Sequence, residues 1–216
     1  MENFSQTFFV GGMVRDLLLG RRVTDIDIAT AAHPGRIASI LASHDIAADS
    51  SHRAFGVVTA RAGNAEAEIT TFRRDAYGDS RYPKVRFIKS PGQDAKRRDF
   101  TVNSLYLSLK TNSILDFHNG LGDIKSKTIR FIGAPDKRIA EDPLRMIRAL
   151  RFASDLGFHL ERKTFFGIKN NFSLLKKISH GRIASELERC KRPSSRKKIN
   201  SALDSPEALD KYFLKP

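Results

Sequence analysis

Cysteine and tryptophan are all but missing: the 216-residue chain has one cysteine, Cys190, and no tryptophan. A lone thiol closes no internal disulfide and has no companions for a zinc site or a redox pair. Long hydrophobic runs are missing too. No stretch approaches the roughly 20 apolar residues of a membrane span, and the opening MENFSQTFFVGG lacks the basic region and long apolar run of a secretory signal. These absences predict a soluble cytoplasmic protein with no membrane partner, held together by its core alone. A chain of this length can bury such a core as one domain with an appendage or as two small domains.

Acidic charge is the third scarcity, with 24 Asp and Glu against 38 Lys and Arg, a formal net charge of +14. Such an excess points to a polyanionic partner, because basic side chains gain free energy by releasing counterions condensed on phosphates. The excess is uneven. KRR at Lys96 to Arg98 and SSRKK at Ser194 to Lys198 are dense, whereas residues 24 to 50 are locally more acidic, so the chain is not a uniform basic coat.

TFFV at 7 to 10 reads as a strand, Gly11 and Gly12 as a turn, and MVRDLLLG as a helix ended by Gly20. TDIDIAT follows as a strand in which Asp25 and Asp27 leave one face while Ile26 and Ile28 leave the other. HPGRIASILASH has Pro34 suited to a helix first turn and an apolar stripe of Ile37, Ile40 and Leu41. Residues 55 to 60, 66 to 72 and 85 to 88 read as strands, the first two joined as a hairpin through Gly63 and Asn64. DFTVNSLYLSL suits helix or strand, with a helix starting after Asp99 preferred; short strands around Ile114 to Phe117 and Thr128 to Ile132 are expected to pair. Beyond Gly133 no strand pattern is convincing, and helices are expected at about 140 to 155, 162 to 172 and 181 to 191. The expected architecture is α+β: a small mixed β-sheet flanked by helices over residues 1 to 138, a helical region over 139 to 192, and a basic, loosely packed tail over 193 to 216.

Asp25 and Asp27 are the sharpest chemical feature. Two carboxylates on one strand face repel unless a cation sits between them, and magnesium takes such oxygen ligands while leaving positions for water and phosphate. A bare DxD is by itself more often a pair of solvated acids. Here Gly11 and Gly12 precede it, letting the backbone approach a triphosphate, and Arg15 adds a cation in the first turn of the following helix. Glu68 in EITTFRRD is a candidate third acid, with Glu66 on the same strand face as the alternative; Arg73 and Arg74 beyond it suit phosphate contacts or solvent equally.

KRRDFTVN, from Lys96 to Asn103, offers Arg98 to a phosphate and Asp99 to a ribose hydroxyl, although Asp99 equally suits a helix cap. In EDPLRMIRALRF, Arg145, Arg148 and Arg151 recur at steps of three after Glu141 and Asp142. Asp142 before Pro143 is a good helix start, and the arginines can simply lie in water. Asp142 and Arg145 also fall on one side of such a helix, where an acceptor and donors would match cytosine or adenine better than uracil or guanine.

In order, FFVGGMVRDLLLGRRVTDIDIAT, EITTFRRD, RRDFTVNSLY and EDPLRMIRALRFASDLGF resemble successive motifs of the class II tRNA nucleotidyltransferase and bacterial poly(A) polymerase family. The resemblance runs from about Phe8 to about Glu188, with Ser104 where the family usually has alanine. It implies a nucleotidyltransferase-superfamily head followed by a helical neck, with Asp25 and Asp27 binding the catalytic Mg2+; Glu68, from its strand position, is the candidate third catalytic acid. Gly12 and Arg15 would hold the triphosphate, Arg98 and Asp99 the phosphate and ribose, Asp142 and Arg145 the base, and Arg148 and Arg151 would line the same pocket; Gly11 and Asn103, within these motifs, are further nucleotide-binding candidates. The segment from Arg73 to Phe87 is similar to one that includes the family's flexible loop. The implied activity is addition of CCA to the 3′ end of tRNA from CTP and ATP. The alternatives are a poly(A) polymerase and, because family members continue through a longer helical body, a truncated RNA-binding remnant.

Overall fold

A computed structural model describes residues 6–78 and 83–213. They form two compact units: the first runs to Arg98 and resumes at Val102–Gly120, the second combines Asp99–Thr101 with the chain from Leu121 onward.

In the first unit, β1 (Thr7–Val10) runs directly into α1 (Gly11–Leu18). Gly11 makes that corner at φ +70°, a conformation open to glycine and strained for other residues. Next come β2 (Ile26–Thr30), α2 (Pro34–Ala42), β3 (Ala47–Asp49) and the hairpin of β4 (Val57–Ala62) with β5 (Ala65–Thr71). β6 (Arg73–Ala76) and β7 (Lys84–Phe87) make a separate antiparallel ribbon. Residues 79–82 of the segment expected to include a flexible loop lie outside the described residues. α3 (Pro91–Ala95), β8 (Leu105–Ser108) and β9 (Ile114–Asp116) complete the unit.

The seven-stranded sheet has the order β3-β4-β5-β2-β1-β8-β9, and β2 with β5 is its parallel pair while the other neighbours are antiparallel. It is the mixed sheet flanked by helices that the strand and helix periods predict. Alternation along the strands divides the core. Phe8, Val10, Ala29, Phe72, Ala95 and Tyr106 cluster together, and Phe8 meets Tyr106 edge-on at 5.9 Å. Ile37 and Leu41 of α2 pack with Val58 and Ala60, and Ile69 joins them. On β5, then, Ile69 belongs to the α2 side, and Glu68 and Thr70 leave by the other face. His33 starts α2, its Nδ1 accepting the Gly35 N–H.

The second unit contains α4 (Gly120–Lys125), which begins at the last residue of the first, then β10 (Thr128–Ile129), α5 (Pro135–Glu141), α6 (Leu144–Leu156), β11 (His159–Leu160), α7 (Arg162–Asn170), α8 (His180–Glu188), α9 (Pro193–Asp204) and α10 (Pro206–Phe213). Its core is built on α6, whose Met146, Ile147, Ala149 and Leu150 are buried, and on Phe100, stacked on Phe131 at 5.0 Å and edge-on to Phe152 at 5.6 Å.

Four expectations need correction. DFTVNSLYLSL is a single 3-10 turn (Thr101–Asn103) followed by β8, because β8 pairs with β1 and buries Leu105 and Tyr106 on opposite faces. Ile114–Asp116 and Thr128–Ile129 do not pair with each other: β9 joins β8, and β10 runs parallel to β11. The compact units divide at Gly120 rather than near residue 138, since β10 and Phe131 pack within the later part of the chain. The stretch from Pro193 is not loose as far as Phe213: α9 and α10 bury Ile199, Ala202, Leu209 and Phe213, and residues 214–216 of that tail lie outside the described residues. Among the described residues, no helix is long and apolar enough to cross a membrane.

Gly167 of α7 leaves no room for a side chain, because a Cβ there would lie 2.5 Å from Cβ of Pro135. Helix propensity alone favours alanine by about 1 kcal/mol, but the clash dominates. Gly167→Ala is expected to destabilise the protein by about 1–3 kcal/mol in urea unfolding; a stabilised variant would refute this packing.

Candidate functional site

Parallel pairing of β2 with β5 sets Asp27 directly opposite Glu68, so their side chains emerge on the same face of neighbouring strands. Asp25 immediately precedes β2, is exposed, and accepts from the Thr24 hydroxyl at 3.1 Å. Burial pushes the Asp27 carboxyl up to about 6 from 3.8; Glu68 and Asp25 add to the rise, and Arg98 and Arg15 oppose it. Glu66 is drawn away instead, into an exposed ion pair with Arg61 across the β4–β5 hairpin at 2.7 Å. Among the described residues no three His, Cys, Asp or Glu side chains converge closely enough to enclose a metal ion. Crowded acid oxygens beside an open cleft suit a hard divalent cation that takes its remaining ligands from water and a phosphate.

The cleft has a volume of about 170 Å³ and is lined by Val10, Asp27, Val57, Glu68, Thr70, Arg73, Arg97 and Arg98. Its tightest feature is Gly11: a Cβ there would stand 3.0 Å from Asp27 Oδ2 and 3.7 Å from Arg98 Nη1. Glycine is thus required twice, by φ and by the nearness of the acid. Arg15 is buried, donating to Asp16 through Nε at 2.9 Å and to Asn103 Oδ1 through Nη1, and its guanidinium lies 3.3 Å from where a Cβ on Gly12 would be. Asn103, a candidate ligand by sequence, therefore fixes Arg15.

Sequence reasoning missed Asp16 and Asp94. Asp94 is fully buried; its Oδ1 accepts from the Arg73 N–H at 2.9 Å and Arg97 Nε at 2.8 Å, and its Oδ2 from the Tyr106 hydroxyl at 2.6 Å. Burial would raise this carboxyl, but Arg97, Arg98 and these donors outweigh burial and hold it below the usual range. The signal was present, since Asp94 stands three and four residues before Arg97 and Arg98.

The remaining candidates belong to the second unit. Asp99 accepts from Arg148 Nε at 2.9 Å and, through Oδ1, from the Phe100 N–H. Asp142 is extended just before α6, accepting from the Leu144 N–H at 3.1 Å and from Arg182 Nη2 at 3.0 Å. Arg145 reaches Glu141 at 2.6 Å and the Arg138 carbonyl at 2.8 Å, and Arg151 donates to Glu186 at 2.6 Å. The arginines do not simply lie in water: Arg145 and Arg151 are buried and paired, and Arg151 also covers the Phe152 ring at 4.2 Å.

The family model for the poly A polymerase head domain matches residues 7–130. The chain belongs to that family. Within it, the chain is 45% identical over 208 residues to a CCA-adding enzyme of Lactobacillus helveticus, a match covering 95% of this chain and 51% of the relative. The structure is similar to that of the Bacillus stearothermophilus CCA-adding enzyme in complex with CTP, at TM-score 0.79 and 36% identity over 95% of this chain and 47% of that one. It is also similar to a tRNA nucleotidyltransferase complexed with a primer tRNA and an incoming ATP analog, at TM-score 0.76 and 30% identity over 95% of this chain and 58% of that one. The chain spans about half the length of the curated relatives it matches. Enzymes of this poly A polymerase head family use divalent metal ions.

Because Asp27 titrates near 6 when folded and at 3.8 when unfolded, its ionised form opposes folding. The stability linked to it is full below about pH 4 and is lost as pH rises through about 6. In EDTA, Asp27→Asn is expected to be more stable than the parent by about 2 kcal/mol at about pH 7.5, after a discount for partial exposure, and no more stable at about pH 4. Urea unfolding at both pH values checks this; a pH-independent difference would show that the acid is not electrostatically crowded.

Proposed function

We propose that this chain carries the catalytic half of a template-independent RNA nucleotidyltransferase, adding C and A residues to the 3′ end of tRNA from CTP and ATP in the cytoplasm. The observation that carries the reading is Asp27, set opposite Glu68 and 3.0 Å from the Cβ that Gly11 lacks, in a cleft also lined by Arg98. Kinship with named CCA-adding enzymes at 45% identity supports the choice of reaction within the family.

Asp25, Asp27 and Glu68 present the hard oxygen donors that Mg2+ takes, with Asp25 and Asp27 the proposed ligands. When bound, the ion lowers the pKa of the RNA 3′-hydroxyl and neutralises charge on the phosphates. The chain's own groups position the reactants. Missing a Cβ at Gly11 and Gly12, the backbone admits the triphosphate beside Asp27, and Arg15 and Arg98, each held by acid and hydrogen-bonding partners, present fixed positive charge to it. The 3′-oxygen bonds to the α-phosphorus as the bond from that phosphorus to the bridging oxygen breaks; pyrophosphate leaves with the electron pair and the hydroxyl proton passes to solvent. Asp99 serves the ribose. Asp142 accepts from an exocyclic amino group and Arg145 donates to ring acceptors, a pattern offered by cytosine and adenine. Glu141, Arg138 and Arg182 hold these two readers in place, as Asp99 and Glu186 hold Arg148 and Arg151.

With a tRNA ending before its CCA and each nucleotide supplied singly, the protein is expected to incorporate CTP, and ATP only after two C residues. Adenylate extension with no use of CTP would instead mark a poly(A) polymerase, and no transfer at all would overturn the reading. Asp27→Ala should lower transfer by about a thousandfold or more, and Gly11→Ala should abolish it by driving a methyl against Asp27 Oδ2.

A further inference from the structure

We propose that Tyr106 and Asp94 form a positioning relay that sets the orientation of Arg98 for the nucleotide's phosphates. This rests on the reading of the cleft as a triphosphate site, and it assigns work to two residues outside the ligand set. Arg98 comes from the three residues after α3, where the Arg97 and Arg98 N–H groups donate to the Asp94 and Ala95 carbonyls in a turn, and its long side chain is framed from outside that turn. Tyr106 supplies it. Arg98 Nε donates to Tyr106 Oη at 2.8 Å, and the guanidinium carbon stands 5.0 Å from the Tyr106 ring centroid. Tyr106 Oη in turn donates to Asp94 Oδ2 at 2.6 Å, and Arg98 Nη2 lies 3.5 Å from that same oxygen.

The relay has a direction. A phenol hydroxyl has one proton; here it goes to the Asp94 carboxylate, which leaves the oxygen lone pairs for Arg98 Nε–H. Burial beside Asp94 raises the Tyr106 hydroxyl well above the ordinary phenol range, so it remains a donor throughout the working pH range. Asp94 and Tyr106 are both fully buried, and the frame is therefore as rigid as the core it belongs to: Tyr106 lies on β8 and packs against Phe8, Phe72 and Phe117. With Nε and Nη2 held on this side, Nη1 is turned toward Gly11, 3.7 Å from the missing Cβ, on the side of Asp27. A planar guanidinium fixed at two of its nitrogens cannot rotate, and a pre-set donor loses less entropy when it meets phosphate.

The test is a double-mutant cycle of Tyr106→Phe with Arg98→Ala, read as affinity for CTP with Mg2+ and, where the parent transfers nucleotide, as KM and kcat for CTP. Tyr106→Phe keeps the ring and its packing and removes only the oxygen. It is expected to weaken CTP binding and raise KM by about tenfold with little change in kcat, as for one lost charge-assisted hydrogen bond. In the Arg98→Ala background the same change is expected to have no further effect, an outcome that a merely structural role of Tyr106 would not produce. Additive losses, or unaltered affinity in Tyr106→Phe, would overturn the relay while a nucleotide-binding parent leaves the functional reading standing. A parent that binds no CTP would overturn both, and is recognised from the parent alone. If Tyr106→Phe does not fold by circular dichroism, Asp94→Asn takes its place in the cycle with the same expected outcome.

Discussion

Two carboxylates side by side on neighbouring parallel strands repel each other, and much of the first unit answers that repulsion. Asp27 faces Glu68 across the β2–β5 pairing with Asp25 close by, and partial burial makes its charge still less welcome. Arg98 and Arg15 lower the strain from opposite sequence directions, one from the turn after α3 and one from α1. Both cations are fixed in turn by a second layer of acids and polar groups, Asp94 with Tyr106 for the first and Asp16 with Asn103 for the second. The corner at Gly11 then brings the backbone against the acid with nothing between them. The residual imbalance at Asp27 is of the kind that a divalent ion relieves.

The same arrangement, arginine held by an acid, recurs in the second unit. Asp99 and Glu186 hold Arg148 and Arg151, Glu141 holds Arg138 and Arg145, and Asp142 receives Arg182. Isolated surface pairs of this sort contribute little, but buried guanidiniums left without partners would be strongly destabilising. The buried arginines Arg15, Arg138, Arg145 and Arg151 each have an acid partner. Arginines immobilised before a ligand arrives need not reorganise when negative charge develops, which is the property the proposed function calls on.

Much of this was legible in one dimension. The strand, glycine turn, helix and DxD strand were readable because glycine, periodicity of two and periodicity of about 3.6 are local properties of the backbone. The β4–β5 hairpin was readable for the same reason. The segment after Asp99 was not, because whether Leu105 and Tyr106 extend into β8 depends on a partner, β1, nearly a hundred residues earlier. The pairing of β10 with β11 and the packing of α9 and α10 also depend on long-range burial that composition does not disclose.

The candidate residues divide along the same line. Sequence alone singled out the candidate side chains, since carboxylates, glycines and arginines recur there in ordered local patterns. It also determined that Asp25 and Asp27 belong together, two residues apart at a strand's edge. Only the tertiary structure set Glu68 apart from Glu66, because strand register decides which acid stands opposite Asp27 and which meets Arg61. It alone showed Asn103 accepting from Arg15, and made Asp94 and Tyr106 visible as neighbours of Arg98. The reason is that a side chain's identity is carried by its own residue, whereas its orientation and ionisation are set by neighbours that only folding brings within hydrogen-bonding reach.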